Sequence, residues 1–299
     1  MKRASCRAAH GAGAREKPMK QRFDRVAQAR RRVLRGLGGA VLAYGLAGAA
    51  TPVVAQPAMQ PATQLVTQSA AAAATPASAG QPQRAPGGSP KPAAGKRVAM
   101  LVQLGGPNLK TDERAKAHLE SRGYAVRFVD EAQPVDAAAD ADLVIVSSSV
   151  SSKRVARGWR TLAKPLLTWE NDLLDDFAMT GKRHDVDFGE TGKARYLWLV
   201  NAPHPIAAGL PAGTTNVYGR QASMSWGKPG LGASIVATVY GEPEKAAIFA
   251  YEKGATMDYE SLAPARRVMF FLNNDTFGNL SPEGVALFDA AIDWAAGLR

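Results

Sequence analysis

Apolar runs without polar alternation recur from residue 97 onward. "RVAMLVQ" at 97–103 is such a run, and "TDERAKAHLESRG" follows it with a helix start at Thr111 and a glycine stop at Gly123. Continuous apolar runs are typical of strands buried on both faces of a parallel sheet. "YAVRFVD" and "ADLVIVSSS" predict two more strands, "SSKRVARGWRTLA" a second helix and "KPLLTW" a fourth strand. The pattern therefore predicts alternating strands and helices.

The pattern changes after residue 190, where strands follow one another across short turns. The predicted strands are "RYLWLVN", "TNVYGR", "ASIVATVY", "KAAIFAYE" and "RRVMFFLNN". Several of the connections are too short for a helix, which favours antiparallel neighbours. A last helix is predicted in "SPEGVALFDAAIDWAAG", with Ser281 as its cap and Pro282 at its first position. The expected fold is α/β: a flavodoxin-like, mostly parallel sheet with helices on both faces and antiparallel strands added in the second half.

The charge of the chain is concentrated at its N-terminal end. The formal net charge is +11, but residues 1–55 hold 12 Lys and Arg and 2 Asp and Glu, so the rest of the chain carries only +1. A basic patch on the folded part is therefore not indicated, and no nucleic-acid partner is expected. The one cysteine, Cys6, lies in the same N-terminal stretch, which excludes disulfides and a cysteine nucleophile from the predicted domain.

Residues 1–55 have the parts of an export signal. Arg30-Arg31-Arg32-Val33-Leu34-Arg35 precedes the 15-residue apolar stretch "GLGGAVLAYGLAGAA", and small residues lead up to Ala55. An arginine pair before a glycine-rich apolar stretch is typical of a twin-arginine signal, so we expect cleavage after Ala55 and a periplasmic or secreted product. The export machinery is then one partner. The alternative is an uncleaved anchor, but the stretch is shorter than the roughly 20 residues that span a bilayer, and no stable membrane span is expected after cleavage.

Residues 56–96 are rich in Ala, Pro, Gln, Ser and Gly. Such a composition buries too little apolar surface to offset the entropy of ordering, so a disordered linker is predicted. One α/β domain is predicted over 97–299.

Four loops follow predicted strands whose carboxyl ends meet at one edge of the sheet. Ligands of open parallel sheets bind at this edge. The candidate ligand-binding residues in these loops are Gly105, Gly106, Asn108, Ser147, Ser148, Ser149, Asn171, Asp172, Asn273 and Asp275. Glu170 lies at the end of the fourth strand and is a candidate acid or base.

Two segments resemble the class I glutamine amidotransferase-like superfamily. In "KPLLTWENDLL" at 164–174, the proline-led strand resembles the one that carries the nucleophilic cysteine, and Glu170 occupies the cysteine position. "NAPHPIAAGLP" at 201–211 is similar to a segment of the trehalose-utilisation (ThuA-like) branch. The resemblance implies the fold of that superfamily, but not glutaminase activity, because the cysteine is missing.

Each candidate residue also has a structural interpretation. Glu170 can cap a helix start, His204 can fix a turn between Pro203 and Pro205, and Asp172 can belong to a solvated first turn. His204 has no histidine partner beyond His184, so a zinc site is not expected. No cofactor is expected from the sequence. The serines from 147 to 152 lack the Gly-x-Ser-x-Gly pattern of serine hydrolases.

Two function classes remain open. The first is a ligand-binding envelope module, for a small molecule or a carbohydrate, without enzymatic activity. The second is a hydrolase or isomerase of a small polar or sugar-like substrate, with Glu170 and His204 as candidate catalytic residues. A buried carboxyl group with a raised pKa suits proton transfer. The position of His204 relative to Glu170 distinguishes the two classes.

Overall fold

The computed structural model describes residues 93–299. The predicted export signal lies outside the described residues, as does the predicted linker up to residue 92. The last residues assigned to the linker form a turn before the first strand, and Ala93 is buried in the core. In the described part of the chain, no helix is long and apolar enough to cross a membrane.

The described strands form one mixed sheet. Its strand order is β2-β1-β3-β4-β11-β10-β9-β6-β7, with β8 paired to β10 and β5 to β8. The strands are β1 Arg97–Val102, β2 Ala125–Asp130, β3 Leu143–Val146, β4 Leu166–Thr168, β5 Phe188–Ala194, β6 Tyr196–Leu199, β7 Gly213–Asn216, β8 Ala222–Gly227, β9 Ser234–Val239, β10 Glu242–Tyr251 and β11 Arg267–Met269.

The first half of the sheet is parallel, as its apolar runs predict. β1 pairs in parallel with β2 and β3, and β4 pairs in parallel with β3 and β11. All residues of β3, β4 and β11 are buried, because these strands have neighbours on both sides and layers on both faces. The carboxyl ends of five strands therefore lie along one edge.

The second half of the sheet is antiparallel, which confirms the prediction from its short connections. β6 pairs with β7 and β9, and β10 pairs with β8, β9 and β11. Two strands, β5 and β8, have no counterpart in the sequence prediction. β5 reads "FGETGKA", a glycine- and lysine-containing stretch whose strand conformation comes from its pairing with β8.

Two α-helices lie in the described residues, α1 (Leu109–Ser121) and α2 (Pro282–Ala295). α1 begins two residues before the predicted start. α2 begins as predicted, because the Ser281 hydroxyl accepts a hydrogen bond from the N–H of Gly284 and Pro282 occupies the first turn. Both helices bury their apolar side chains in the same core cluster, with Leu119 from α1 and Phe288 from α2.

The opposite face of the sheet is covered differently from the prediction. Its core cluster takes Ala138 and Leu173 from two short 3-10 helices, Val135–Ala138 and Asn171–Leu173, and Trp159 from an irregular segment. In the described part of the chain the α-helices thus lie on one face, and 3-10 helices with irregular chain cover the other.

The helix predicted in "SSKRVARGWRTLA" is absent, and the segment forms consecutive turns. Gly158 has a φ of +108°, which a right-handed helix does not allow. The carbonyl groups of Leu162 and Lys164 accept hydrogen bonds from the buried guanidinium of Arg267, each at 2.7 Å. These tertiary contacts override the helical pattern of the sequence.

The α-helix expected directly after Glu170 is also absent. A single 3-10 turn, Asn171–Leu173, takes its place, and Ala178 has a left-handed φ of 57°. The phenol of Tyr251 donates a hydrogen bond to the carbonyl oxygen of Met179, which fixes the chain at this point. The segment therefore forms isolated turns, and its hydrogen bond to β10 fixes it at Met179.

Candidate functional site

Glu170 lies at the carboxyl end of β4, where the chain turns sharply. Thr168 makes this turn, since its hydroxyl donates to the carbonyl of Val146 and accepts from the N–H of Glu170 at 3.0 Å. The carboxylate of Glu170 then accepts a hydrogen bond from the N–H of Asp172 at 3.0 Å. The predicted capping role is thus present, on a 3-10 turn.

The carboxyl group of Glu170 is also one wall of a cleft of about 310 Å³. The other residues of the wall are Ser148, Val150, Ser151, Ser152, Lys153, Asn171, Asp172, Glu190 and Asn274. We call this space the Glu170 cleft. Its polar side chains come from the loops after β3, β4 and β11 and from β5, so it lies at the edge where ligands of parallel sheets bind.

Burial shifts the ionisation of Glu170. Its side chain is 7% exposed, and the desolvation of the charged form is the main cause that raises its pKa from 4.5 to about 8. The hydrogen bond from Asp172 opposes this shift, while the negative charges of Asp172 and Glu190 add to it. Glu170 is therefore largely protonated at pH 7 and can donate a hydrogen bond.

Glu190 on β5 is the second carboxylate of the cleft. One of its oxygens accepts from the amide of Asn171 at 3.2 Å, and the other accepts from the hydroxyl of Ser223 at 2.9 Å. The amide of Asn273 donates to the same Ser223 hydroxyl at 3.3 Å. Asn171 and Asn273 thus hold Glu190, directly or through Ser223, beside Glu170.

Ser148 supplies an unpaired hydroxyl to the cleft. Its side chain is 8% exposed, and within residues 93–299 its oxygen has no hydrogen-bond partner. A buried hydroxyl without a partner is costly, so such a group is often completed by a ligand or by water.

Ser147 and Ser149 hold the loop in place. The Ser147 hydroxyl donates to the buried carboxylate of Asp112 at 2.6 Å and accepts from the indole N–H of Trp169 and the backbone N–H of Ser149. Desolvation by burial raises the pKa of Asp112, and the bonds from the serines oppose that shift. These two serines therefore connect the loop after β3 to α1.

The glycine loop after β1 lies outside the cleft wall. Gly105 has a φ of +84°, and the side chain of Asn108 makes no capping hydrogen bond at the start of α1. Asp275 is exposed on the loop after β11, where the neighbouring Asn274 contributes to the cleft instead. Of the predicted ligand-binding residues, the structure brings Ser148, Asn171 and Asp172 to Glu170, and Asn273 to its supporting network.

His204 lies elsewhere. Its ring packs on Trp294 near the end of α2, with ring centres 5.4 Å apart, and its Nδ1 accepts from the N–H of Ile206. Trp294 also contacts Arg266, which lies just before the amino end of β11. Glu170 instead lies just after the carboxyl end of β4, which runs parallel to β11. The two residues are therefore at opposite ends of these strands. Burial lowers the pKa of His204, which favours the neutral ring that this turn requires. The structure does not bring His204 to Glu170.

No metal centre is formed by the described residues, since none of their His, Cys, Asp and Glu side chains gather in groups of three or more that could hold an ion. His184 approaches Asp172 at 3.6 Å but is exposed and also contacts Asp185.

Sequence reasoning missed Glu190 and Asn274. Asn274 could have been found from its place beside Asn273, but Glu190 depends on a strand that the pattern does not show.

Comparison with solved structures finds a number that are similar to this chain. No family model and no curated protein matches the chain. A protein described as part of a GMP synthase from Thermoplasma acidophilum aligns at 12% identity and a TM-score of 0.38, over 68% of this chain and 95% of that one. The N-terminal domain of mmIFT52 aligns at 8% identity and a TM-score of 0.39, over 67% of this chain and 97% of that one. At these scores the likeness carries no argument about activity.

Proposed function

We propose that this chain is an exported protein whose amidotransferase-like domain lacks glutaminase activity and binds a small neutral polyhydroxy ligand, such as a sugar, in the Glu170 cleft. The observation that carries the proposal is a buried carboxyl group with a pKa of about 8 in the wall of a polar cleft. The strand order β2-β1-β3-β4-β11 supports a flavodoxin-like parallel half, whose ligand edge holds this cleft.

The hydrogen-bonding groups of the cleft suit hydroxyl groups. Protonated Glu170 donates, the Glu190 carboxylate accepts, and the amides of Asn171 and Asn274 do both. A sugar hydroxyl both donates and accepts, so neighbouring hydroxyls can satisfy this mixed set. Charge also favours a neutral ligand. The carboxylates of Asp172 and Glu190 share the cleft wall with one cation, Lys153, and therefore disfavour an anionic ligand.

The ligand is tested by a thermal-shift screen of the full chain against neutral mono- and disaccharides, with hits confirmed by calorimetry. Glu170→Met removes the hydrogen-bonding groups and keeps the length of the side chain, and we expect it to weaken binding of a hit about tenfold or more. Glu113→Gln, a change at an exposed carboxylate on α1, is the control and should bind like the parent. No saccharide hit, or equal binding by the parent and Glu170→Met, would contradict the proposal.

A second candidate function is favoured by the pairing of two carboxyl groups in different environments. Glu170 is buried and largely protonated at pH 7, while Glu190 is exposed at the rim and accepts two hydrogen bonds. Such a pair can act as acid and base in a hydrolase or isomerase. Turnover of a saccharide hit that is lost in both Glu170→Gln and Glu190→Gln would support this function, whereas binding without turnover favours the binding module.

A further inference from the structure

A second and larger cavity lies next to the Glu170 cleft. Its volume is about 610 Å³, and it is formed by the irregular segment 152–161 and by residues 173–177. Volumes of this size are typical of small-molecule sites. Ser152 and Lys153 belong to the walls of both spaces. We call the larger space the Trp159 cavity.

The charge of the Trp159 cavity is opposite to that of the Glu170 cleft. Three cationic side chains, Lys153, Arg157 and Arg160, contribute to its wall, and Asp176 is the acidic residue among those that line it. Within the described part of the chain, none of the three cations forms an ion pair. Arg160 instead lies over the ring of Tyr259, 5.6 Å from its centre, which orients its guanidinium. Three cations and one carboxyl group, that of Asp176, therefore leave the wall with a net positive charge.

The inner wall is apolar with one unsatisfied donor. Phe177 and Trp159 supply buried aromatic surface, and Trp159 is only 1% exposed. The indole N–H of Trp159 has no hydrogen-bond partner among residues 93–299. Buried indole groups usually have an acceptor, so this donor is an unsatisfied polar group at the inner wall of the cavity.

We infer that the Trp159 cavity binds a small organic anion with an apolar or aromatic body and a carboxylate or phosphoryl group. The body packs between Trp159 and Phe177, and the anionic group lies among Arg157, Arg160 and Lys153. An oxygen of the ligand accepts the Trp159 N–H. This inference does not rest on the function proposed for the Glu170 cleft, because Trp159, Arg157 and Arg160 line the Trp159 cavity and not that cleft, although Lys153 is shared.

The test is calorimetric titration of the full chain at pH 7 with four probes: phenylphosphonate, benzoate, neutral benzamide and inorganic phosphate. Phenylphosphonate, benzoate or both should bind at least about tenfold more tightly than benzamide, because the cations favour a charged group. Either should also bind more tightly than inorganic phosphate, which lacks the apolar body. The relative affinities of phenylphosphonate and benzoate distinguish a phosphoryl from a carboxylate ligand.

Variants locate the binding. Arg157→Gln and Arg160→Gln should each weaken binding of the tighter anion about three- to tenfold. Arg220→Gln, a change of equal charge at an exposed turn outside the cavity wall, is the matched control and should leave the affinity unchanged. Trp159→Phe keeps an aromatic ring, removes the N–H and should weaken binding about threefold or more.

Three results would overturn the inference. The first is binding of the anions no tighter than that of benzamide. The second is an equal loss of affinity in Arg220→Gln and the two cavity variants, which would indicate attraction to net charge. The third is a loss of anion binding in Glu170→Gln, because that would place the anion in the other cleft. The exposed Arg157 provides a readout even if Trp159→Phe fails to fold.

Discussion

Glu170 combines two roles that sequence reasoning treated as alternatives. Its backbone and one carboxylate oxygen hold a tight turn through Thr168 and Asp172, and the same carboxyl group faces a polar cleft. A capping carboxylate in water would remain ionised. Burial at the end of a central strand instead makes the protonated form the major one at pH 7.

The raised pKa of Glu170 makes the stability of the protein depend on pH. The folded state holds the proton up to about pH 8, whereas an unfolded chain loses it near 4.5. The free energy of unfolding should therefore fall between pH 4.5 and 8, by at most about 1.4 kcal/mol per pH unit from this group. Glu170→Gln should remove that part of the slope, so its stability relative to the parent rises toward pH 8. Urea unfolding of both proteins at pH 5, 6.5 and 8 measures this slope. An equal change of the free energy of unfolding with pH in the two proteins would contradict the raised pKa of Glu170.

Ser147 is predicted to be structural. Replacing it with Ala would leave Trp169 Nε1, the Ser149 N–H and one oxygen of the buried Asp112 without their partner. We expect Ser147→Ala to lower the free energy of unfolding by about 1 to 3 kcal/mol, measured with urea, and to leave the pH slope from Glu170 intact. Ser234→Ala, at the exposed start of β9, is the control. A Ser147→Ala variant as stable as its control would contradict this role.

At the scale of elements, the sequence predicts strands well where their burial depends on local apolar runs. β1, β3 and β4 are such strands, and their ends locate Glu170 and Ser148. The pattern fails at β5 and β8, which pair with each other, and at the segment 151–163, which reads as a helix but is held in turns. It also fails after Glu170, where a 3-10 turn replaces the expected α-helix. These failures have the same physical cause, since partners distant in sequence decide the local conformation. The sequence therefore predicts the cleft residues in the loops after β3 and β4 but misses Glu190 on β5.

Arg267 is the residue that holds the turns of the segment 160–165. It is fully buried, it donates to the carbonyl groups of Leu162 and Lys164, and burial lowers its pKa to about 10. Arg267→Met should lower the free energy of unfolding by about 1 to 3 kcal/mol, because the gain from removing a buried charge offsets part of the lost hydrogen bonds. Hydrogen exchange should increase most at 160–165. Unchanged exchange there would contradict this role.

At the scale of the whole molecule, the domain occupies the C-terminal part of a chain with a basic N-terminal stretch. Limited proteolysis of the full chain should leave a resistant fragment that begins at or shortly before Ala93, because Ala93 is buried in the core. N-terminal sequencing of the fragment measures this boundary. A protected fragment beginning near residue 60 would contradict the proposed linker.

Export is the second prediction at this scale. Replacing Arg30 and Arg31 with Lys should retain the precursor in the cytoplasm, while a block of the general secretory route should not. The measurement is the distribution of precursor and processed protein between cell fractions. The double replacement of Arg3 and Arg7 with Lys, outside the proposed motif, is the control. Normal export of the Arg30 and Arg31 variant would contradict the twin-arginine assignment.

The central claim is that a neutral ligand accepts a hydrogen bond from protonated Glu170 in its cleft. The most direct measurement is the affinity of a saccharide hit as a function of pH, in the parent and in Glu170→Gln. In the parent, the dissociation constant should be constant from pH 5.5 to 7 and should rise toward tenfold per pH unit above the pKa of about 8. In Glu170→Gln, whose amide N–H still donates, the dissociation constant should stay near the parent's low-pH value over this whole range. An affinity independent of pH in the parent, or the same dependence in both proteins, would contradict the claim.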